Sequence, residues 1–193
     1  MIRGSLLLGV MALMFGSRSA HAQEMDAPAE IQIPLLYKIL TFDRKLGDRA
    51  AGSDIVIAIV FQTGYRGSVV ARDQAVDALK RMADSTIFGH PVHWVAVELN
   101  DVESLRLSLT RNRVDVIYVT PLRGVELEPI KMAAREARIT TFTGVPRYVE
   151  RGLALGVGIA RERPQIIVNL GAARAEGSDF TSQLLRVSRV IEK

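Results

Sequence analysis

The chain has 193 residues, 25 lysines and arginines against 21 acids, and no cysteine. That length suits one domain with a full apolar core, and the lack of cysteine excludes disulfides, thiol catalysis and cysteine-based metal sites. The basic excess is mild and gives no warrant for nucleic-acid binding, which needs a dense basic patch with groove-reading or stacking elements.

Taken from its start, the chain opens with the order of a Sec-type signal peptide. MIRG is a short positive segment, LLLGVMALMF (6–15) is an apolar run, and Ala20-His21-Ala22 is a small-x-small cleavage site. The apolar run is too short to span a bilayer, which takes roughly 20 such residues. No twin arginine precedes it and no lipobox cysteine follows it. The expectation is therefore removal of residues 1–22, export to the periplasm and a chain that does not span the membrane after processing. Residues 1–22 hold Arg3 and Arg18 and no acid, so the processed chain of 171 residues carries a net charge of only +2. Residues 23–30 (QEMDAPAE) read as a polar, proline-broken, flexible lead-in, and 31–193 as one α/β domain.

IPLLYKILTFDRKL follows, with Leu35, Leu36, Ile39, Leu40 and Phe42 at helical spacing and Gly47 as its stop. IVIAIVF (55–61) is a continuous β-branched run, the pattern of a strand covered on both faces. Ala75, Val76, Leu79, Met82 and Ala83 mark an amphipathic helix over 72–82. HWVAVEL (93–99) is the next strand, and Asp101 caps a helix carrying Val102, Leu105 and Leu109. VDVIYVT (114–120) is a third strand, Ile130, Ala133, Ala134 and Ala137 a helix face, and ITTFTG (139–144) a fourth strand. Strands and helices alternating at this spacing predict right-handed βαβ units and a mostly parallel sheet.

The rhythm then changes. Pro146 to Arg151 is enough for a short helix. LALGVGIA (153–160) and QIIVNL (165–170) flank only residues 161–164, and so short a loop joins antiparallel neighbours. Phe180, Leu184, Val187 and Ile191 make one stripe of a closing amphipathic helix. The predicted fold is a single-domain, three-layer-like α/β sandwich with a mixed, mostly parallel sheet, a C-terminal antiparallel hairpin and that closing helix.

Motifs for chemistry are sparse. Gly171 and Gly177 are too far apart for a phosphate loop, and the lysine that meets the β and γ phosphates is missing. No G-x-G-x-x-G follows the first strand, and Gly156-Val157-Gly158 lies inside a strand, where close packing explains it. His90 and His93 could approach one metal but lack further ligands, so they read as a turn residue and a strand-start residue. Glu126 and Glu128 flank an exposed turn. No catalytic residue, cofactor or metal site is expected, and the protein is not expected to be an enzyme. An open α/β sheet binds ligands beyond the carboxyl ends of its strands. Thr63, Arg66, Asn100, Thr120, Arg123 and Thr143 stand at those ends as a candidate pocket for a small polar or anionic solute. Ordinary loop polarity is the competing reading.

The tail from Thr143 to Ile191 resembles the YfiR-like (YfiR/HmsC) family of periplasmic proteins. Members show an F-x-x-x-G approach, a hairpin, an I-N-x-x-A-A-x-x-A-G step and an S-S-x-L-L-x-L-A helix. The approach stands here as VPRYVERG (145–152), the step as VNLGAARAEG (168–177) and the helix as TSQLLRVS (181–188). The opening helix from Leu35 to Leu46 and the strand region Asp115 to Pro121 match more loosely. The resemblance implies a non-enzymatic regulator that binds the periplasmic part of a membrane protein, a diguanylate cyclase or a sensor kinase, and that forms a homodimer. Those members carry disulfides, so the redox control inferred for them is not expected in a cysteine-free chain. On the last helix, Gln183, Arg186 and Arg189 face away from the apolar stripe and are the candidate partner surface. The alternative is a one-lobe periplasmic solute-binding protein, because VDVIYVTP (114–121) is similar to part of one lobe of such proteins.

Overall fold

The computed structural model describes residues 25–49 and 54–192. The signal peptide expected over 1–22 lies outside the described residues. In chain order the elements are α1 (Ala29–Leu40), α2 (Arg44–Arg49), β1 (Ile55–Phe61), α3 (Arg66–Arg81), β2 (Thr86–Ile87), β3 (His90–Glu98), α4 (Val102–Arg111) and β4 (Val116–Val119). There follow α5 (Glu128–Ala137), β5 (Thr140–Thr143), α6 (Pro146–Glu150), β6 (Leu155–Ala160), β7 (Arg163–Asn169), α7 (Leu170–Ala175), α8 (Ser182–Val187) and β8 (Arg189–Ile191).

All eight strands form one sheet in the order β2-β3-β1-β4-β5-β6-β7-β8. The β3, β1, β4, β5 and β6 pairings are parallel, β6–β7 is the expected antiparallel hairpin, and β7–β8 is parallel again. The continuous apolar runs follow from burial on both faces. Ile55, Ile57 and Ile59 of β1, with Val116 and Tyr118 of β4, pack into the core beneath α1 and α3. Ala58, Val60, Ile117 and Val119 alternate into a second core beneath α4, α5 and α6. Asp101 caps α4 as its sequence position suggests, its carboxylate accepting from the Ser104 N–H at 2.9 Å.

Several boundaries differ from expectation. Gly47 lies inside α2 rather than stopping α1, which ends at Leu40 because Asp43 breaks away to bridge Phe180. Helix α3 begins at Arg66, six residues early, so its first turn reaches the strand ends. His90 stands in β3 with His93 rather than in a turn, and the hairpin loop shrinks to Arg161 and Glu162, both at positive φ (50° and 62°), the geometry of a tight turn.

The largest correction concerns the closing helix. It stops at Val187, Ser188 turns extended (φ −105°, ψ 155°), and residues 189–191 form β8 on the edge of β7. The expected stripe is therefore split. Phe180 and Leu184 are buried at 7 % and 1 % exposure, whereas Val187 is 72 % exposed and Ile191 belongs to a strand. A free sheet edge offered main-chain partners that a longer helix could not use.

Candidate functional site

Two concave regions stand out, and the first lies at the carboxyl ends of the parallel strands. Between β1 and β4 the strand order reverses, the usual place for a ligand in such sheets. Here the polar groups on the crevice floor are bonded to one another. The Ser68 and Thr120 hydroxyls are 2.6 Å apart, Thr120 donates to the Val60 carbonyl at 2.9 Å, and Ser68 accepts from the Gln62 N–H at 2.8 Å. The Gln62 side chain brackets the main chain of Arg123, accepting its N–H at 3.0 Å and donating to its carbonyl at 3.1 Å. Thr143 donates to the Val119 carbonyl at 2.9 Å and accepts from the Val145 N–H at 3.1 Å.

The six candidate pocket residues are accordingly scattered in role. Thr120 and Thr143 are fully buried with their hydroxyls engaged inside the protein, and Thr63, Asn100 and Arg123 sit on exposed turns. Arg66 alone lines a cleft of about 620 Å³, between the start of α3 (Tyr65, Gly67, Val70, Gln74), Pro121 and residues 25–28.

Residues 25–28, read from the sequence as part of a flexible lead-in over 23–30, are docked on the domain instead, and α1 already begins at Ala29. The Asp26 N–H donates to the Gly144 carbonyl at 3.2 Å, and Ala27 is 1 % exposed. Beneath them, fully buried Gln32 accepts from the Tyr118 hydroxyl at 2.8 Å and donates to the Ala27 carbonyl. Burial drives the Tyr118 phenol well above its ordinary range. The proline-broken composition of this stretch speaks for a loop and carries no sign of where the loop docks.

The second region is a groove of about 230 Å³ between α1 and α8, floored by Ile166 of β7. Leu35, Ile39 and Phe42 form one wall, Leu184 and Val187 the other, with Lys38 and Gln183 on the lips. Of the candidate partner residues, Gln183 thus borders the groove, while Arg186 is exposed and not part of its lining. Arg189 is turned aside, its guanidinium 2.8 Å from the Glu150 carboxylate. The helical spacing of Leu35, Ile39 and Phe42 was visible in sequence but reads there as core.

The other titratable groups among the described residues pair locally. His93 Nε2 lies 2.9 Å from Asp54 Oδ2 on the surface, and no group of three or more histidines and acids gathers as a metal site among the described residues. Glu128 pairs with Lys131 and Glu126 with Arg151. Glu176 is the exception in character: it is fully buried, and desolvation pushes its carboxyl up to about 8. The Thr141 N–H and hydroxyl that bond it, with the Arg135 charge, pull only part of the way back. It ties the end of α7 to β5 and faces no cavity described above.

Comparison with known proteins adds three findings. The model of the YfiR/HmsC-like family matches residues 29–189. A search of curated proteins found no match. Among solved structures, an ABC domain from Streptococcus pneumoniae in complex with L-Trp superposes with a TM-score of 0.60 at 12 % identity, over 85 % of this chain and 62 % of that one. A conserved domain protein from Vibrio cholerae gives 0.59 at 16 % identity, over 86 % and 60 %. The open, ligand-free substrate-binding protein CD0873 from Clostridium difficile gives 0.50 at 19 % identity, over 77 % and 58 %. The chain therefore spans about three fifths of the length of these structures, and the likeness is one of fold. Among the described residues no helix is long and apolar enough to cross a membrane.

Proposed function

The chain belongs to the YfiR/HmsC-like family, and from that premise we propose that it is a non-enzymatic periplasmic regulator. Its groove between α1 and α8 binds the periplasmic part of a membrane protein, a diguanylate cyclase or a sensor kinase, and restrains it. The observation that carries this reading is the groove itself: an almost wholly apolar trough whose wall residue Val187 is 72 % exposed. Val187 is continuous there with Leu35, Ile39, Phe42, Ile166 and Leu184, and it is such contiguous apolar surface, not a single bare side chain, that marks a contact site. Lys38 and Gln183 on its margins supply a polar rim.

The test is co-purification from envelope extracts with the processed protein and its Val187→Asp variant. Val187 makes little of the core, so the variant folds; the expected result is one membrane protein retained by the parent and lost with Val187→Asp. Cellular c-di-GMP rising on deletion of the gene assigns the partner to the cyclase class. Failure of the parent to retain any membrane protein, with c-di-GMP unchanged, refutes the proposal.

The solute-binding alternative draws on one specific feature, the 620 Å³ cleft beside Arg66. It is the weaker reading because the Thr120 and Thr143 hydroxyls already have protein partners. A solute present at 100 times its Kd would add about 2.7 kcal/mol of stability. A thermal-shift screen without any such gain removes this alternative.

A further inference from the structure

The hairpin of β6 and β7 outgrows the sheet. Strand β5 pairs with β6 only at Leu155 and Gly156, and β8 pairs with β7 only from Ile167 to Asn169. The two hairpin strands pair with each other as far as Ala160 and Arg163. Their root is held in place, for a side chain on Gly158 would stand 2.8 Å from the Pro146 ring and 3.3 Å from the Asp26 carboxylate. Beyond it, from Ile159 to Pro164, the strands have no neighbour among the described residues of the sheet but each other.

This arm carries apolar and cationic side chains together. Residues opposite one another in an antiparallel pair share a face, so Ile159 and Pro164 stand side by side, and both are exposed, Ile159 at 39 %. Arg161 and Arg163 are exposed next to them, and Arg147, adjoining Pro146 at the root, adds a third cation. Among the described residues none of the three makes an ion pair. Against them stand Glu162 at the tip and Asp26 at the root, so the arm is cationic on balance. Arg161 and Glu162 both hold positive φ, in a turn for which Asn-Gly is the unstrained choice. Charged side chains therefore occupy the tip against the local backbone preference.

We infer that the arm docks the protein onto the surface of a bilayer containing anionic phospholipid. The arginines meet headgroup phosphates, which a guanidinium can hold through two parallel hydrogen bonds, while Ile159 and Pro164 enter the interfacial layer. The shape of the arm selects this partner. A protein interface takes roughly 20–30 residues a side, whereas the free tip offers only Ile159 to Pro164. A bilayer needs no matching concavity, and its attraction sums over single cations, each contributing about fivefold to binding near an anionic surface. Apolar side chains set among cations are the pattern of such interfacial contact. This goes beyond the regulator reading and makes no use of the groove, so its failure leaves that reading standing.

The test is co-sedimentation of the purified processed protein with vesicles of phosphatidylcholine alone or with one third phosphatidylglycerol. Binding is expected to the mixed vesicles only, and to weaken as salt screens the charges. Arg161→Asn with Arg163→Thr suits both the turn and the strand. That pair is expected to lower the binding constant about 25-fold without lowering the melting temperature. Arg111→Ser with Arg174→Ser removes the same charge at the opposite end of the sheet and is expected to leave binding nearly unchanged. Because the chain has no cysteine, an environment-sensitive dye can be placed at one site. On Ile159→Cys its emission is expected to shift to the blue with mixed vesicles, and on Leu107→Cys of α4, a position 63 % exposed, it is not. The inference is overturned by equal binding to both vesicle types or to neither, by equal losses in the two arginine pairs, or by an unshifted dye at Ile159→Cys. Absence of vesicle binding with cross-linking of that cysteine to an envelope protein would assign the arm to a protein partner instead. Should the tip variant fail to fold, the two dye positions decide.

Discussion

Glu176 is the residue at which burial and charge conflict most sharply. Its side chain has no exposed surface and makes no ion pair among the described residues, and its carboxyl is raised from 4.5 to about 8. Below pH 4.5 the group is protonated whether the chain is folded or not. Between 4.5 and 8 only the folded chain holds the proton, so stability is lost as pH rises through that window and levels off above it. The total is at most about 4–5 kcal/mol, at 1.36 kcal/mol per unit. Glu176→Gln keeps an acceptor for the Thr141 N–H and removes the titration. Denaturant unfolding of the two proteins at pH 5 and pH 9 is expected to show a steep loss for the parent and a flatter one for the variant; parallel pH profiles would contradict the assignment. Asp115, raised by burial, contributes in the same direction in both proteins and cancels in the difference.

At the scale of elements, the junction of β5, α6 and β6 depends on how closely backbones approach. A side chain on Gly156 would stand 2.6 Å from the Val149 methyl of α6 and 3.0 Å from the Thr143 carbonyl. Gly156→Ala is therefore expected to cost about 1–3 kcal/mol, the range for overpacking, read as a lower denaturation midpoint with unchanged slope. The Gly-x-Gly in a strand was legible as a sign of close packing, though not which helix does the packing. The β-branched runs of β1 and β4 were equally legible, since a strand between two helical layers must be apolar on both faces. The end of α8 was not legible. Phe180, Leu184, Val187 and Ile191 satisfy a helical period, and Val190-Ile191 suits a strand equally well. The choice fell to the vacant edge of β7, which lies adjacent only once the sheet is assembled.

Across the whole molecule, the two ends of the described chain hold each other. Buried Asp43 accepts from the Asp179 N–H at 2.9 Å, Arg49 donates to the Gly177 carbonyl at 2.9 Å, and the Thr181 N–H donates to the Phe42 carbonyl at 3.0 Å. A chain ending at Glu176 loses these bonds together with buried Phe180 and Leu184, whose burial contributes about 1.5–3 kcal/mol each. Against a total stability of about 5–15 kcal/mol, cooperative thermal unfolding is expected to vanish in that truncation; a sharp transition near the parent's would show that the C-terminal segment is dispensable. The sequence alone determined the layered α/β class, the parallel core strands, the hairpin and the family, because these rest on local periodicity and motif spacing. The tertiary structure alone decided that the strand-end threonines face inward, that residues 25–28 line the cleft, that α1 and α8 leave an open groove, and that β2 covers β3 only at His90 and Pro91. Each of those depends on contacts between segments far apart in the chain, and local pattern carries no record of which distant partner a side chain or strand edge will meet.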